Sequence, residues 1–324
     1  MNAGKVSVII PAYNAEATIG GAIGAVLAQS YAGPVELIVV DDGSTDATRG
    51  IVCSFPDVRY FFQENMGPAS ARNRGAREAV GDVLFFTDSD CRPEANWLAK
   101  MSEGFNGPLV GAVAGSYGIA NQEKALARVI HAEIRFRHLK LMPEYPRAFG
   151  SYNFAISAGL FRQLGGFNVS YRRASGEDND LSYRVLRSGS KIRFIKDACV
   201  AHYHQHLAGH YLREQFRHGF WRARLYRDHI SMAAGDDYTF WKDVAEVPLA
   251  VAHVACFWWP PVFVGLFFGF FLFEILAGFW MIGFSGDGLF GGLVMWLRAF
   301  VRSAGLLSGG VYLLKNDFKK GKKS

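Results

Sequence analysis

The sequence predicts an α/β fold: a mostly parallel β-sheet covered by helices on both faces, followed by an apolar helical region. Three observations carry this. Short β-rich runs alternate with helix-like segments over the first part of the chain, which is the pattern of strand–helix–strand units. Those runs are continuously apolar, as strands buried on both faces are. From Val244 to Phe284 the chain is almost continuously apolar, about twice the roughly 20 residues that a membrane span needs.

The elements follow in order. "KVSVIIPAY" reads as the first strand and Ala17 to Ser30 as the first helix. "ELIVVDD" is the second strand, followed by a helix from Asp46 to Ser54, with Asp46 placed as its N-cap. "VRYFFQ" and "DVLFFTD" are the third and fourth strands, separated by a helix from Pro68 to Ala79. A helix from Glu94 to Phe105 leads to a fifth strand, "LVGAVAGSY". In such sheets ligands sit beyond the carboxyl ends of the strands. Three of these ends carry polar clusters: Asp41 to Asp46, Glu64 to Gly67 with the Arg72, Asn73 and Arg74 that follow, and the pair Asp88 and Asp90. Alternation along an extended chain would point Asp88 and Asp90 to one side. Such a pair is either a solvated turn capping the next helix or a site needing a counter-charge, water or a metal ion. Three polar clusters at successive strand ends point to a nucleotide site.

The chain has 324 residues and a formal net charge of +6, part of it in the tail "KNDFKKGKKS". A basic tail beside apolar helices fits the positive-inside rule and anionic lipid, and no nucleic-acid-binding motif accompanies it. The four cysteines, Cys53, Cys91, Cys199 and Cys256, have neither disulfide nor metal spacing, so free thiols in a reducing compartment are expected. After Met1 the first apolar run is short and ends at Pro11, unlike a secretory signal. The first domain is therefore expected in the cytosol.

"VSVIIPAYNAEATI", "VVDDGSTD", "NMGPASARNRG" and "FFTDSD" resemble the N-terminal half of family 2 glycosyltransferases, and "GSYNFAISAGLFRQLGGFN" and "GEDNDLSYRV" continue the likeness to about His206. The resemblance implies the GT-A fold and inverting sugar transfer from a nucleotide sugar, UDP-, GDP- or TDP-linked. It also implies a divalent cation, Mg²⁺ or Mn²⁺, on the leaving pyrophosphate. By resemblance Asp90 is a metal ligand and Asp88 faces the ribose or a metal-bound water. His202 matches a position that completes the metal site, with His204 the local alternative and a plain surface histidine the third reading.

Asp41 and Asp42 could accept a hydrogen bond from the N–H edge of a base, with Pro11, Ala12 and Tyr13 touching the base. Glu16 reaches the ribose or is a first-turn helix acid. Arg72 contacts phosphate or ribose, or is an exposed helix arginine. "SGEDNDLSYR" places Glu177, Asp178 and Asp180 together, either as acids at a helix N-terminus or as the source of the catalytic base. By resemblance to a Glu-Asp motif the base is Asp178, with Glu177 second. Asp180 and Arg184 are expected as a supporting pair near the sugar or acceptor, where Gly150, Ser151 and Asn153 also belong.

Beyond this, "HYLREQFRHGFWRARLYRDH" sets Leu212, Phe216, Phe220 and Ala223 at helical spacing, flanked by arginines. That suits a helix at a lipid headgroup surface or one closing the catalytic domain. Gln215 is followed by "FRHGFW", which departs from the Gln-x-x-Arg-Trp motif of processive synthases in the family, so single addition is expected. Trp258 to Pro261 predict a turn between two spans. Leu289 to Leu314 is apolar too, but Arg298 and Arg302 would lie mid-bilayer if it spanned, so a helix along the cytosolic surface is cheaper; either a hairpin plus this helix, or one long span plus a second span, puts both termini in the cytosol. The expected organisation is a catalytic domain over residues 1–209, an amphipathic segment over 210–243, and a membrane hairpin, interfacial helix and basic tail over 244–324. The enzyme then sits in the cytoplasmic membrane, with catalytic domain and C-terminus cytosolic, and acts on a lipid-linked or cell-envelope glycan. Two other classes compete: sugar-nucleotide nucleotidyl transfer, whose Gly-rich Arg-containing loop "PAYNAEATIG" lacks, and a non-catalytic membrane scaffold.

Overall fold

A computed structural model describes residues 4–171, 176–232, 236–237 and 241–321, with side chains up to Lys315. It divides into two compact units, one of residues 1–120 and 138–203, the other of residues 121–137 and 204–324.

The first unit is built on a mixed sheet of eight strands among the described residues, in the order β3-β2-β1-β4-β7-β6-β8-β5. The strands are β1 (Val6–Ala12), β2 (Val35–Asp41), β3 (Val58–Phe62), β4 (Val83–Thr87), β5 (Cys91–Pro93), β6 (Val110–Ile119), β7 (Asn153–Ser157) and β8 (Lys191–His202). The five strands expected from the sequence are present. β1, β2, β3 and β4 pair in parallel, as do β6 and β8. Every residue of β1 is buried, which is why its sequence lacks alternation. β7 was not anticipated; it runs antiparallel between β4 and β6. This arrangement brings the carboxyl ends of β1, β2, β4, β6 and β8, and the amino end of β7, to one edge. The helices α1 (Ile19–Leu27), α2 (Thr48–Cys53), α3 (Pro68–Glu78) and α4 (Trp97–Glu103) lie inside the segments expected to be helical. α3 starts with Pro68 in its first turn, where a missing N–H costs nothing.

In the second unit, α5 (Ala125–Phe136), α8 (Ala208–Asp228), α9 (Trp241–Ala255) and α10 (Pro260–Ile282) all pack against α11 (Gly286–Gly321). Between α5 and α8 in the chain, α6 (Ala158–Gln163) and α7 (Glu177–Arg187) belong to the first unit. Leu126 and Val129 of α5 form one apolar core with Tyr211 and Val294.

The expected break at the tryptophans is real: a single 3₁₀ turn, Cys256–Trp258, separates α9 from α10. The helix before it has only 15 residues, too short for a span. Among the described residues, the two helices long and apolar enough to cross a bilayer are α10 and the Gly286–Lys315 part of α11. The arginines that argued against the second of these are internally paired. Arg298 is 2% exposed and bonds Glu133 (2.5 Å) and Glu246 (3.3 Å), and Arg302 bonds Gln215 (2.6 Å) and Asp243 (3.3 Å). Lys242 pairs with Glu246 and with Glu274. The apolar stripe of α8 meets α11 directly: a Cβ added to Gly305 or Gly309 would come within 2.2 Å of the carbonyl oxygens of Phe216 and Phe220. The lysine-rich end of the tail lies outside the described side chains.

Candidate active site

β4 ends at Thr87, and a turn closed by the Cys91 N–H on the Asp88 carbonyl (3.0 Å) separates Asp88 from Asp90. The two carboxylates therefore diverge instead of sharing the side that strand alternation predicted. Asp88 accepts from Arg72 Nη2 at 2.7 Å, and Arg72 Nη1 reaches Glu177 at 3.2 Å. Arg72 is thus a buried bridge, 3% exposed, and not a surface arginine. The Phe167 ring lies under its guanidinium, 5.5 Å away. Burial alone would lower its proton affinity, but Asp88, Asp178 and Glu177 together raise it above that of an ordinary arginine.

Asp90 faces the other way. Its Oδ2 is 3.3 Å from His202 Nε2, at the end of β8. The register brings them together, since Cys91 pairs with His202 across β5 and β8. Burial disfavours the Asp90 anion, but the imidazole outweighs this and holds the carboxyl below the usual range. The Cys91 sulfur joins them, each ligand atom lying within 4.8 Å of the others. His204, the alternative ligand, belongs to the second unit, where it exchanges hydrogen bonds with Asn121 and faces His131. Tyr117, unnoticed in the sequence, sets its ring 5.0 Å from that of His202 and stacks on Tyr152 at 3.5 Å.

α7 begins at Glu177 after Gly176. Glu177 is sealed at 1% exposure between Arg72 and the Gly176 N–H. Asp178 is only partly buried, and it accepts from the backbone N–H and hydroxyl of Ser151, just before β7. Its Oδ1 is buried without a hydrogen-bond partner among the described residues. Burial pushes its carboxyl above the ordinary aspartate range and Asp88 adds to this, against the pull of Arg72 and Ser151.

Other expected site residues have structural work. Asp42 accepts from Gln63 Nε2 (2.6 Å) and from the N–H groups of Met66 (2.9 Å) and Gly67 (2.8 Å). It thereby fixes the left-handed Gly67 (φ 92°) that starts α3. Asp41 accepts from the Ser44 N–H and the Tyr60 hydroxyl, both at 2.8 Å. The two carboxylates thus shape the loops at this sheet edge. Pro11 and Ala12 are buried and Tyr13 is exposed beyond them. Glu16 accepts from the Ala47 N–H at 2.9 Å, so it caps α2. Asp46 accepts from the Thr48 N–H at 3.0 Å, in the same turn.

Asn153 is fully buried; it accepts from Trp97 Nε1 (2.7 Å) and donates to the carbonyls of Ser116 and Ala198 (both 2.9 Å). Its amide ties β7 to α4, β6 and β8. Asp180 and Arg184 form the expected pair at 2.7 Å, but the guanidinium is spent on the carbonyls of Leu164 and Gly166. They brace the loop that carries Phe167, which Asn73 holds through two 2.8 Å hydrogen bonds.

The chain is similar to known proteins. A validoxylamine A glucosyltransferase of Streptomyces hygroscopicus subsp. limoneus is 31% identical over 229 residues, covering 59% of this chain and 50% of that protein. The glycosyltransferase AglE of Haloferax volcanii is 27% identical, covering 75% of this chain and 81% of its own. The chain spans about half the length of the first curated relatives it matches. Among solved structures, a mannosyltransferase, PcManGT from Pyrobaculum calidifontis in complex with GDP-Man and Mn²⁺, superposes with a TM-score of 0.60 at 20% identity, over 92% of this chain and 86% of that one. The fold is therefore GT-A. Because a profile of Glycosyl transferase family 2 matches residues 7–173, just over half of the chain, the protein belongs to glycosyltransferase family 2.

Proposed function

We propose that the protein transfers a glycosyl group, with inversion, from a nucleotide sugar to a lipid-linked or cell-envelope glycan at the cytosolic face of a membrane. The observation that carries this reading is the joining, at one sheet edge, of a buried Arg72–Asp88–Glu177 bridge, the Asp90–His202 pair and the carboxylate of Asp178.

Inversion in a single displacement needs a base for the acceptor hydroxyl and a stabiliser for the leaving diphosphate. Asp178 suits the first task better than Glu177. It is the more accessible of the two, and burial, with Asp88 adding to it, raises its affinity for a proton against the pull of Arg72. Glu177 holds Arg72 in place, and Asp88 orients the same guanidinium from the cleft side.

Asp90 and His202 fit a divalent ion. Their 3.3 Å separation suits two ligands on one ion with bonds of about 2.0–2.2 Å. A bound Mg²⁺ or Mn²⁺ would neutralise charge that develops on the diphosphate. PcManGT was solved with Mn²⁺ and GDP-Man, which supports the same class of donor and metal here. UDP-, GDP- and TDP-sugars all remain within it.

Membrane attachment rests on α10 and the apolar part of α11. The four cysteines are all free, in keeping with a cytosolic catalytic unit.

The test is a donor screen on detergent-purified protein, scoring release of UDP, GDP or TDP with and without Mn²⁺. Metal-dependent release is expected in the wild type and its loss in Asp90→Ala. Equal release by both proteins overturns the metal assignment.

A further inference from the structure

Tyr117 stands at the half-buried end of β6, where the strand register sets it beside one of the two proposed cation ligands. β6 and β8 run parallel here, with Tyr117 opposite Val200 and Ile119 opposite His202. Side chains two residues apart on a strand share a face, so Tyr117 and His202 project from the same side of the sheet. Their rings come to 5.0 Å, tilted by 41°. Tyr117 is itself backed, because its ring stacks on that of Tyr152 at 3.5 Å and 10°. Tyr152 is 5% exposed and has no room to recede: its ring lies against the backbone of Gly150, where an added Cβ would overlap it. Phe149 and Phe194 continue the series of rings into the core, with successive spacings of 5.8 and 5.5 Å.

We propose that Tyr117 is a positioning residue for metal binding: its ring holds the His202 imidazole with Nε2 towards Asp90, ready for a divalent cation. The proposal rests on the reading that Asp90 and His202 hold that ion. An imidazole has three staggered choices about χ1 and a broad range about χ2. Only a small part of that freedom leaves Nε2 at its observed 3.3 Å from Asp90 Oδ2. Asp90 cannot hold the ring there unaided, because its side chain is 40% exposed and water competes for such a link. Contact between two rings has no such competitor, since parting them returns apolar surface to water. Ligands ordered before the ion arrives bind it more tightly than ligands that must be ordered by it. The ring series meets the proposed ligand through Tyr117, which is what separates this tyrosine from the rings that fill the core behind it.

The experiment titrates Mn²⁺, with no nucleotide present, into the full chain in detergent and reads free and bound ion by electron paramagnetic resonance. The wild type is expected to bind an ion whose spectrum carries nitrogen coupling from an imidazole. Tyr117→Leu should weaken the affinity about tenfold, the lower end for changes behind a metal-ligating histidine. Tyr152→Leu, which removes the backing and leaves Tyr117 in place, should weaken it about threefold. Tyr117→Phe keeps the ring and should keep the affinity. Phe194→Leu takes a ring from the far end of the series; it should lower the melting temperature and leave Mn²⁺ binding unchanged. Undiminished affinity in either tyrosine-to-leucine variant overturns the proposal. So does a tenfold loss in Tyr117→Phe, which would assign the effect to the hydroxyl, or in Phe194→Leu, which would make it a general loosening. Asp90→Ala and His202→Ala score the underlying reading separately. If either binds Mn²⁺ as tightly as the wild type, or the wild type shows no nitrogen coupling, the cation site itself is refuted.

Discussion

Asp178, as the proposed base, is under two opposing demands. A base must be ionised to take a proton, yet burial favours its neutral form. Because its folded value is raised, the stability it contributes is fully present below the ordinary aspartate value and is lost as pH rises through the folded one. Two outcomes follow for one substitution. Asp178→Asn abolishes transfer while keeping donor binding, measured by calorimetric titration with the nucleotide diphosphate. It also melts higher than the wild type at about pH 8, with the difference vanishing near pH 3 as the wild-type carboxyl fills. A variant that transfers normally returns the role of base to another group. Residue types at strand ends were legible from the sequence, but their employment was not. Asp42 and Asp178 look alike in a string of letters. Only the fold shows that three donors already occupy the first, while an oxygen of the second lacks a hydrogen-bond partner among the described residues.

At the scale of elements, the contact between α8 and α11 is made by backbone. Gly219, Gly305 and Gly309 let the two helices approach until an added Cβ would sit 2.1–2.2 Å from a carbonyl oxygen of the partner helix. Gly310, one residue on, has nothing within 4 Å of that point. Gly305→Leu should therefore push the helices apart, at about 1–3 kcal/mol for an overpacked contact. Gly310→Leu should be neutral or mildly stabilising, since both changes gain helix propensity. Thermal melts of the detergent-solubilised full chain separate the two, and equal melting temperatures would show that the helices do not pack this way. Strands β1, β2 and β4 were legible because largely continuous burial leaves a continuous apolar run, whereas β3 is half-exposed and was legible from its aromatic and β-branched residues. β7 was harder to read, because an antiparallel strand inserted between two others has no local sequence mark. For α8 the periodicity revealed an apolar stripe without saying whether lipid or another helix covers it.

Across the second unit, charges that look prohibitive one at a time form a set. Arg298 alone in an apolar helix argues against a span, but Glu133 and Glu246 are its partners, and Lys242 links Glu246 to Glu274. Those partners lie on α5, α9 and α10, so no window of sequence around Arg298 contains the set. Removing one member leaves buried charge uncompensated, about 3–5 kcal/mol by the behaviour of buried pairs. Arg298→Leu is expected to lose that much in chemical unfolding. Adding Glu133→Leu to it should recover part of the loss, because neighbours in one network are not additive. Strict additivity in that double-mutant cycle would rule out the coupling.

The same set imposes an order in time on synthesis. Glu133 and Arg298 are 165 residues apart, and a ribosome adding about 5–20 residues per second takes roughly 10–30 s to cover that distance. For that interval Glu133 has Arg137, one turn on, within 3.2 Å, but its buried partner Arg298 does not yet exist. The nascent chain must keep Glu133 hydrated, and its apolar neighbours Leu126 and Val129 unclaimed, until the last helix arrives. A mutation that hastens burial of α5 would thus harm yield more than stability, a defect visible in pulse-labelled cells and absent from the purified protein.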